Sequence, residues 1–241
     1  MYTEEQHSPI VPARFSPEEI ARREEYKCVH HHSGMSHKNC YNKENGIKER
    51  KGCLDIEASN LSADFGIMLS WAIKTSGEDE TFYDHVTKKD LESGAYDSRI
   101  MRSLMDQMWQ YDRIITHYGQ NRCFDIPFVR SRYLWLNARR KYTGTRMPGP
   151  GEMWLSDTYA MSKRLLALSS RRQNVVANLV QGVDVKTPID RDHWLAIQNG
   201  NSKQRREAID YIVEHNLKDV EQLDANYLAL VPFVTETRTS I

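Results

Sequence analysis

Short runs rich in β-branched and aromatic residues open the main part of the chain: CLDIE from Cys53 to Glu57, FGIMLSWAI from Phe65 to Ile73, and TFYDHV from Thr81 to Val86. Turn-forming stretches separate them, and the pattern predicts three strands in an antiparallel meander. The spacing then becomes helical. Asp97 to Tyr111 carries Ile100, Met101, Leu104, Met105, Met108 and Trp109 three and four residues apart, which predicts an amphipathic helix. RIITH, from Arg113 to His117, reads as a fourth strand, and Asp125 to Arg139 as a helix with Pro127 in its first turn. After the turn-rich TGTRMPGPG, Glu152 to Asp157 reads as a fifth strand. The remainder is helical over 158–168, 172–180, 191–198 and 202 to about 230, with a break admitted near Asn216. The order βββαβαβα predicts an α/β fold with a mixed central five-stranded sheet flanked by helices.

The segment ahead of this pattern differs. Residues 1 to 15 contain Pro9 and Pro12 and few core candidates, so they read as an extended arm. Ser16-Pro17-Glu18-Glu19 supplies an N-cap, a proline at the first helical position and acids in the first turn, predicting a short helix to about Tyr26. Residues 27 to 50, KCVHHHSGMSHKNCYNKENGIKER, lack apolar periodicity and read as a loop or small module. The expected organisation is therefore an arm and module over 1–50 and a main domain over 51–241.

At 241 residues the chain is long enough to bury a substantial core. Lys plus Arg and Asp plus Glu both number 33, so no global basic field marks a duplex-coating protein. No apolar run approaches the roughly 20 residues needed to span a bilayer, and the polar start has no signal-peptide core. The expectation is a soluble, cytoplasmic protein with no membrane partner. Without an export signal, Cys28, Cys40, Cys53 and Cys123 are read as thiols or metal ligands rather than a disulfide framework.

Within CLDIE, Asp55 and Glu57 point to one face of the strand while Leu54 and Ile56 point to the other. Two ionised carboxylates beside a core repel each other and are desolvated unless cations or donors compensate. A lone D-x-E would be an edge strand with two solvated acids, but three further stretches change that. Asp125 opens a helix after the fourth strand, between Phe124 and Ile126-Pro127-Phe128. His215 and Asp219 are four apart and share a helix face. KRLLALSSRRQNVVANLVQG, residues 163 to 182, reads as a core-packing helix with a basic entry.

Taken in order, D-x-E on the first strand, F-D after the fourth and H-x-x-x-D on the last helix resemble the three motifs of the DEDD (DnaQ-like) 3′-5′ exonucleases, in the RNase H-like superfamily. The resemblance covers about residues 51 to 230, and His215 places the chain with the DEDDh subtype. HYGQNRCFDIPF and LSSRRQNVVANLV also resemble the bacterial and phage branch and, more distantly, the proofreading domains of family B polymerases, whose members often carry Tyr at the place of His215. The resemblance implies that Asp55, Glu57, Asp125 and Asp219 hold two Mg²⁺ or Mn²⁺ ions and that His215 is the general base. It also implies a single-stranded DNA or RNA 3′ end as substrate and, for a phage-encoded chain, the host cytoplasm as location. Arg122, Arg130, Arg132, Arg139, Arg140 and Lys141 are candidate contacts to the nucleic-acid backbone.

The 27–50 stretch adds a second candidate centre. Cys28-x-x-His31 and His37-x-x-Cys40 supply four donors of the kind that hold structural Zn²⁺, with His30 and His32 as alternatives to His31. Cys53 and Cys123 lie in apolar runs and read as core thiols. Two other readings compete with the exonuclease. One is a catalytically silent nucleic-acid-binding or scaffold protein of the same fold, and the other an endonuclease of the zinc-and-histidine type built on the prefix.

Overall fold

The computed structural model describes residues 14–118, 124–182, 191–236 and 239. A five-stranded sheet organises them: β1 (Lys51–Ala58), β2 (Met68–Thr75), β3 (Thr81–His85), β4 (Arg113–Thr116) and β5 (Trp154–Asp157). The spatial order is β3-β2-β1-β4-β5, with β1–β2 and β2–β3 antiparallel and β1–β4 and β4–β5 parallel. The predicted mixed five-stranded sheet flanked by helices is therefore present.

The helices are α1 (Pro17–Glu25), α2 (Lys38–Glu44), α3 (Lys88–Glu92), α4 (Ser98–Met108), α5 (Asp125–Ala138), α6 (Thr158–Leu165), α7 (Gln173–Gln181), α8 (Arg191–Asn199) and α9 (Ser202–Leu230). Ser16 caps α1, its side chain accepting from the Glu19 amide, as the sequence predicts. The main core joins Leu54, Ile56, Trp71, Ile73 and Ile114 of the sheet to Ile100, Met101, Leu104 and Met105 of α4. Trp71 keeps its indole N–H satisfied within that core by donating to the Ile100 carbonyl at 3.0 Å. A second apolar cluster, with Cys53, Ile115, Met161, Val176, Leu223 and Tyr227, lies under α6, α7 and α9. Cys53 is thus the core thiol expected, whereas Cys123, Arg122 and the arm over 1–13 lie outside the described residues.

Several elements differ from expectation, among them α3, which falls where no helix was predicted. Phe65 is 83% exposed, and β2 starts only at Met68, because the bend after β1 takes up the residues between. The stretch read as a loop or small module contains α2, whose seven residues lack apolar periodicity and bond outside the helix through Asn42 and Lys38. The long helix α9 runs unbroken through Asn216, whose amide is engaged by other elements rather than competing with its own backbone.

β1, β4 and β5 run parallel, so their carboxyl ends lie together; in open α/β sheets that edge is where ligands bind. The opposite ends are covered by the N-terminal segment. Arg14 pairs with Asp112 at 2.5 Å, and Lys38 donates to the Tyr111 carbonyl at 3.1 Å. Gly52, near the start of β1, has no room for a side chain: a Cβ there would come within 2.8 Å of Ile73 and 3.0 Å of the Tyr111 ring. Among the described residues no helix is long and apolar enough to cross a membrane.

Candidate functional site

The strand pleat sends Leu54 and Ile56 into the main core and leaves Asp55 and Glu57 on the face covered by α9. From α9, His215 and Asp219 descend on one helix face, four residues apart, toward the same place. Ligand atoms of Glu57, His215 and Asp219 all lie within 4.8 Å of one another. His215 Nδ1 sits 3.0 Å from Asp219 and 3.3 Å from Glu57, although neither contact is aligned as a hydrogen bond. Asp219 first, and then Glu57, hold the imidazole in its charged form and raise its pKa to about 10 against the cost of burial.

Asp55 and Asp125 complete the group. Asp125 is the first residue of α5 and is 4% exposed. Burial pushes its acid up to about 7; the Ile56 and Asp125 amides oppose that rise, and Glu57 and Asp157 add to it. Burial likewise drives Asp55 well above the usual carboxylate range, with Asp125, Asp219 and Glu57 contributing in that order. Glu57 is raised by burial and lowered by His215. The four acids singled out by sequence thus share one electrostatic neighbourhood with His215, the combination of perturbed groups that marks candidate functional sites.

Two residues that sequence reasoning missed belong to this place. Asn216 Nδ2 donates to Asp55 Oδ2 at 2.6 Å, and its Oδ1 accepts from the Ser70 hydroxyl on β2 at 3.2 Å. Its position next to His215 was visible, but an asparagine in a helix reads first as a weak point. Asp157, at the carboxyl end of β5, caps α6 by accepting from the Tyr159 and Ala160 amides at 2.8 and 3.3 Å, and it also accepts from the Tyr118 amide at 3.0 Å. An acid between a strand and a helix is the ordinary sign of an N-cap, so its second effect, on Asp125, left no separate mark in the sequence.

The described basic residues after β4 differ in what they touch. Arg132 is 2% exposed and makes a two-pronged pair with buried Asp97, at 2.8 and 2.7 Å, while its third nitrogen reaches the Ala63 carbonyl. It is a core residue, not a phosphate contact. Arg139 stacks on Trp135, and Lys141 donates to the Gly94 carbonyl at 2.7 Å. Arg130 and Arg140 are exposed.

A second group lies in the N-terminal segment. One donor atom each from Cys28, His30, His37 and Cys40 falls within 4.8 Å of the others. The histidine that joins is His30 and not His31, which takes a left-handed backbone conformation at φ 63° in the turn closed by its amide on the Cys28 carbonyl. Both groups are compatible with a bound metal ion. No protein-family model matches the chain, and a search of curated proteins finds no match.

Proposed function

We propose that the chain is a metal-dependent 3′-5′ exonuclease of the DEDD type, with an RNase H-like sheet, acting on single-stranded DNA or RNA ends. The observation that carries this reading is the convergence of Asp55, Glu57, Asp125 and Asp219, from three separate stretches of sequence, with His215 at the carboxyl ends of the parallel strands.

The residues fit divalent cations. Three of the four carboxylates are raised by burial and mutual repulsion, and oxygen donors crowded in this way suit hard cations such as Mg²⁺ or Mn²⁺. Such ions, when bound, activate a water and neutralise the leaving oxygen of an in-line phosphodiester displacement. The chain's own residues do the rest. Asn216 fixes the Asp55 carboxylate by a direct hydrogen bond, and Ser70 fixes Asn216. Asp125 is oriented by the Ile56 amide of the strand that carries Asp55 and Glu57. His215 is placed beside Asp219 and Glu57 to accept a proton from water; cations held by Asp55, Glu57, Asp125 and Asp219 would offset the negative charge that raises its pKa.

The test is incubation with end-labelled single- and double-stranded DNA and RNA, with and without Mn²⁺. A ladder receding from the 3′ end is expected, abolished by EDTA and by Asp55→Asn or Asp219→Asn in proteins that keep their circular dichroism. Internal cuts, or full activity in either variant, would overturn the proposal.

A further inference from the structure

The Cys/His group lies at the end of the sheet away from the carboxylates and takes no part in the proposed chemistry. We infer that Cys28, His30, His37 and Cys40 form a closed zinc site whose metal folds residues 27–46 and fastens them to the amino ends of β1 and β4.

The donor geometry is that of a tetrahedral ion. Zinc with bonds of about 2.3 Å to sulfur and 2.0–2.1 Å to nitrogen sets neighbouring S and N ligands roughly 3.6 Å apart. Cys28 Sγ lies 3.2 Å from His37 Nδ1 and 3.7 Å from His30 Nδ1, and Cys40 Sγ lies 3.7 Å from His30 Nδ1. Neither cysteine is in a disulfide. Two thiolates and two neutral imidazoles balance the charge of one Zn²⁺. Four protein ligands leave no open position for water, which makes the site structural rather than catalytic. Sulfur donors also separate it from the all-oxygen acids of the other group, so the two centres select different metals.

The local backbone supplies the donors in two pairs. The His31 amide bonds the Cys28 carbonyl at 2.8 Å and the Cys28 amide bonds the His32 carbonyl at 3.0 Å, closing the turn that presents Cys28 with His30. His37 stands at the cap position of α2, and Cys40 follows in its first turn. A helix of seven residues without a side-chain cap is not stable by itself. Among the described residues of 14–50, the buried hydrophobic side chains are Cys28 and Tyr41 alone, so apolar burial is too small to hold the module. Metal binding contributes folding free energy directly in such cases. The module it organises is closely fitted: Arg23 lies between the Phe15 and Tyr41 rings, at 4.0 and 4.3 Å, and donates to Asn42 Oδ1 at 3.0 Å. A Cβ at Gly34 would come within 2.7 Å of the Tyr41 ring. Lys38, on α2 between His37 and Cys40, makes the bond to the Tyr111 carbonyl that reaches the sheet.

The test is elemental analysis of the purified full chain, followed by replacement with Co²⁺ as a spectroscopic probe. One zinc per chain is expected, with the visible bands of a tetrahedral cobalt thiolate after exchange. Cys40→Ser and His30→Ala should lose the metal and the bands, while His31→Ala and Asp219→Asn keep both. Chelation should speed amide exchange across 27–46 and leave β1 protected. Cys40 is chosen because it is only partly buried, and exchange in β1 reports whether each variant is still folded. Wild-type protein that takes up neither zinc nor cobalt would overturn the proposal. So would zinc lost from Asp219→Asn but retained in Cys40→Ser, or retained in His30→Ala but lost from His31→Ala. Every readout is independent of nuclease activity.

Discussion

Asp125→Asn is expected to stabilise the cation-free protein while abolishing nuclease activity. Asp125 is 4% exposed, and its acid is raised from 3.8 to about 7. A raised carboxyl pKa means that the folded protein holds this proton to higher pH than the unfolded chain does. Stability is therefore lost as pH rises from about 4 to 7 and stays low above that range. A shift of about three units corresponds to roughly 4 kcal/mol. Asp55 and Glu57 share the same repulsion and take up protons in its place, so one substitution is expected to recover about 1–3 kcal/mol. Asparagine keeps an oxygen that can accept from the Ile56 amide, so the substitution removes charge without removing that bond. The assay is urea unfolding in EDTA at pH 8 and pH 4.5. At pH 8 the variant's midpoint should rise by roughly 0.5–1 M, and at pH 4.5, where the wild-type group is protonated, the two proteins should coincide. Saturating Mg²⁺ should close the gap at pH 8, because the ion stabilises the wild type more than the variant. A variant no more stable than wild type at pH 8 in EDTA would refute the reasoning that burial, with the neighbouring acids, makes the Asp125 charge costly in the fold.

Three further outcomes are expected. Asn216→Ala should lower the rate of 3′-end digestion about 10–100-fold and cost about 1–3 kcal/mol in urea unfolding, since it leaves Asp55 and the buried Ser70 hydroxyl without their partner; unchanged kinetics would remove Asn216 from the site. The His215 imidazole, followed by NMR in EDTA, should titrate near 10 and move several units toward 6.5 on adding Mg²⁺, because Asp219 and Glu57 are what raise it; a value insensitive to Mg²⁺ would separate His215 from the metal site. Arg132→Met should cost about 3–5 kcal/mol in urea unfolding by leaving Asp97 buried without its partner, whereas Arg130→Ala, on the exposed face of the same helix, should cost less than about 0.5 kcal/mol.

Periodicity carried much of the fold where an element buries one face, as β1 and α4 do, while β2 and β4, buried on both faces, showed as continuous apolar runs. The alternation in CLDIE and the three-four spacing around Met101 and Met105 both report burial directly. α2 left no such signal, since Tyr41 is its one buried apolar side chain and its other contacts come from the Cys/His group, Asn42 with Arg23, and Lys38 with the Tyr111 carbonyl. Phe65 misled for the opposite reason: an aromatic beside Ile67 and Met68 resembles the start of a strand, yet it is exposed. Within the site, acids were legible because a charge in an apolar run is conspicuous. Arg132 was misread because sequence shows a cationic cluster but not that its partner, Asp97, lies 35 residues upstream in a neighbouring helix cap.

The placement of Asp55 and Glu57 follows from the helix above them. A strand that turns carboxylates toward a covering element is tolerable only if that element returns donors at the same spacing. α9 does so with His215 and Asn216, adjacent on one turn, which reach Glu57 and Asp55 respectively. Two turns further along the same helix, Asp224 accepts from the Ser76 hydroxyl at 2.7 Å and the Gly77 amide at 3.1 Å. The helix is thereby fixed to the turn that follows β2, while Ser70 on the same strand holds Asn216. Both ends of β2 are thus pinned to α9 by polar bonds, with Val220 and Leu223 buried between them. A slide of α9 by even one residue would break both anchors together, so the helix's continuity through Asn216 sets the height of His215 and Asp219 above the strand. The long helix does more than cover the sheet: it fixes the spacing on which the acid cluster depends.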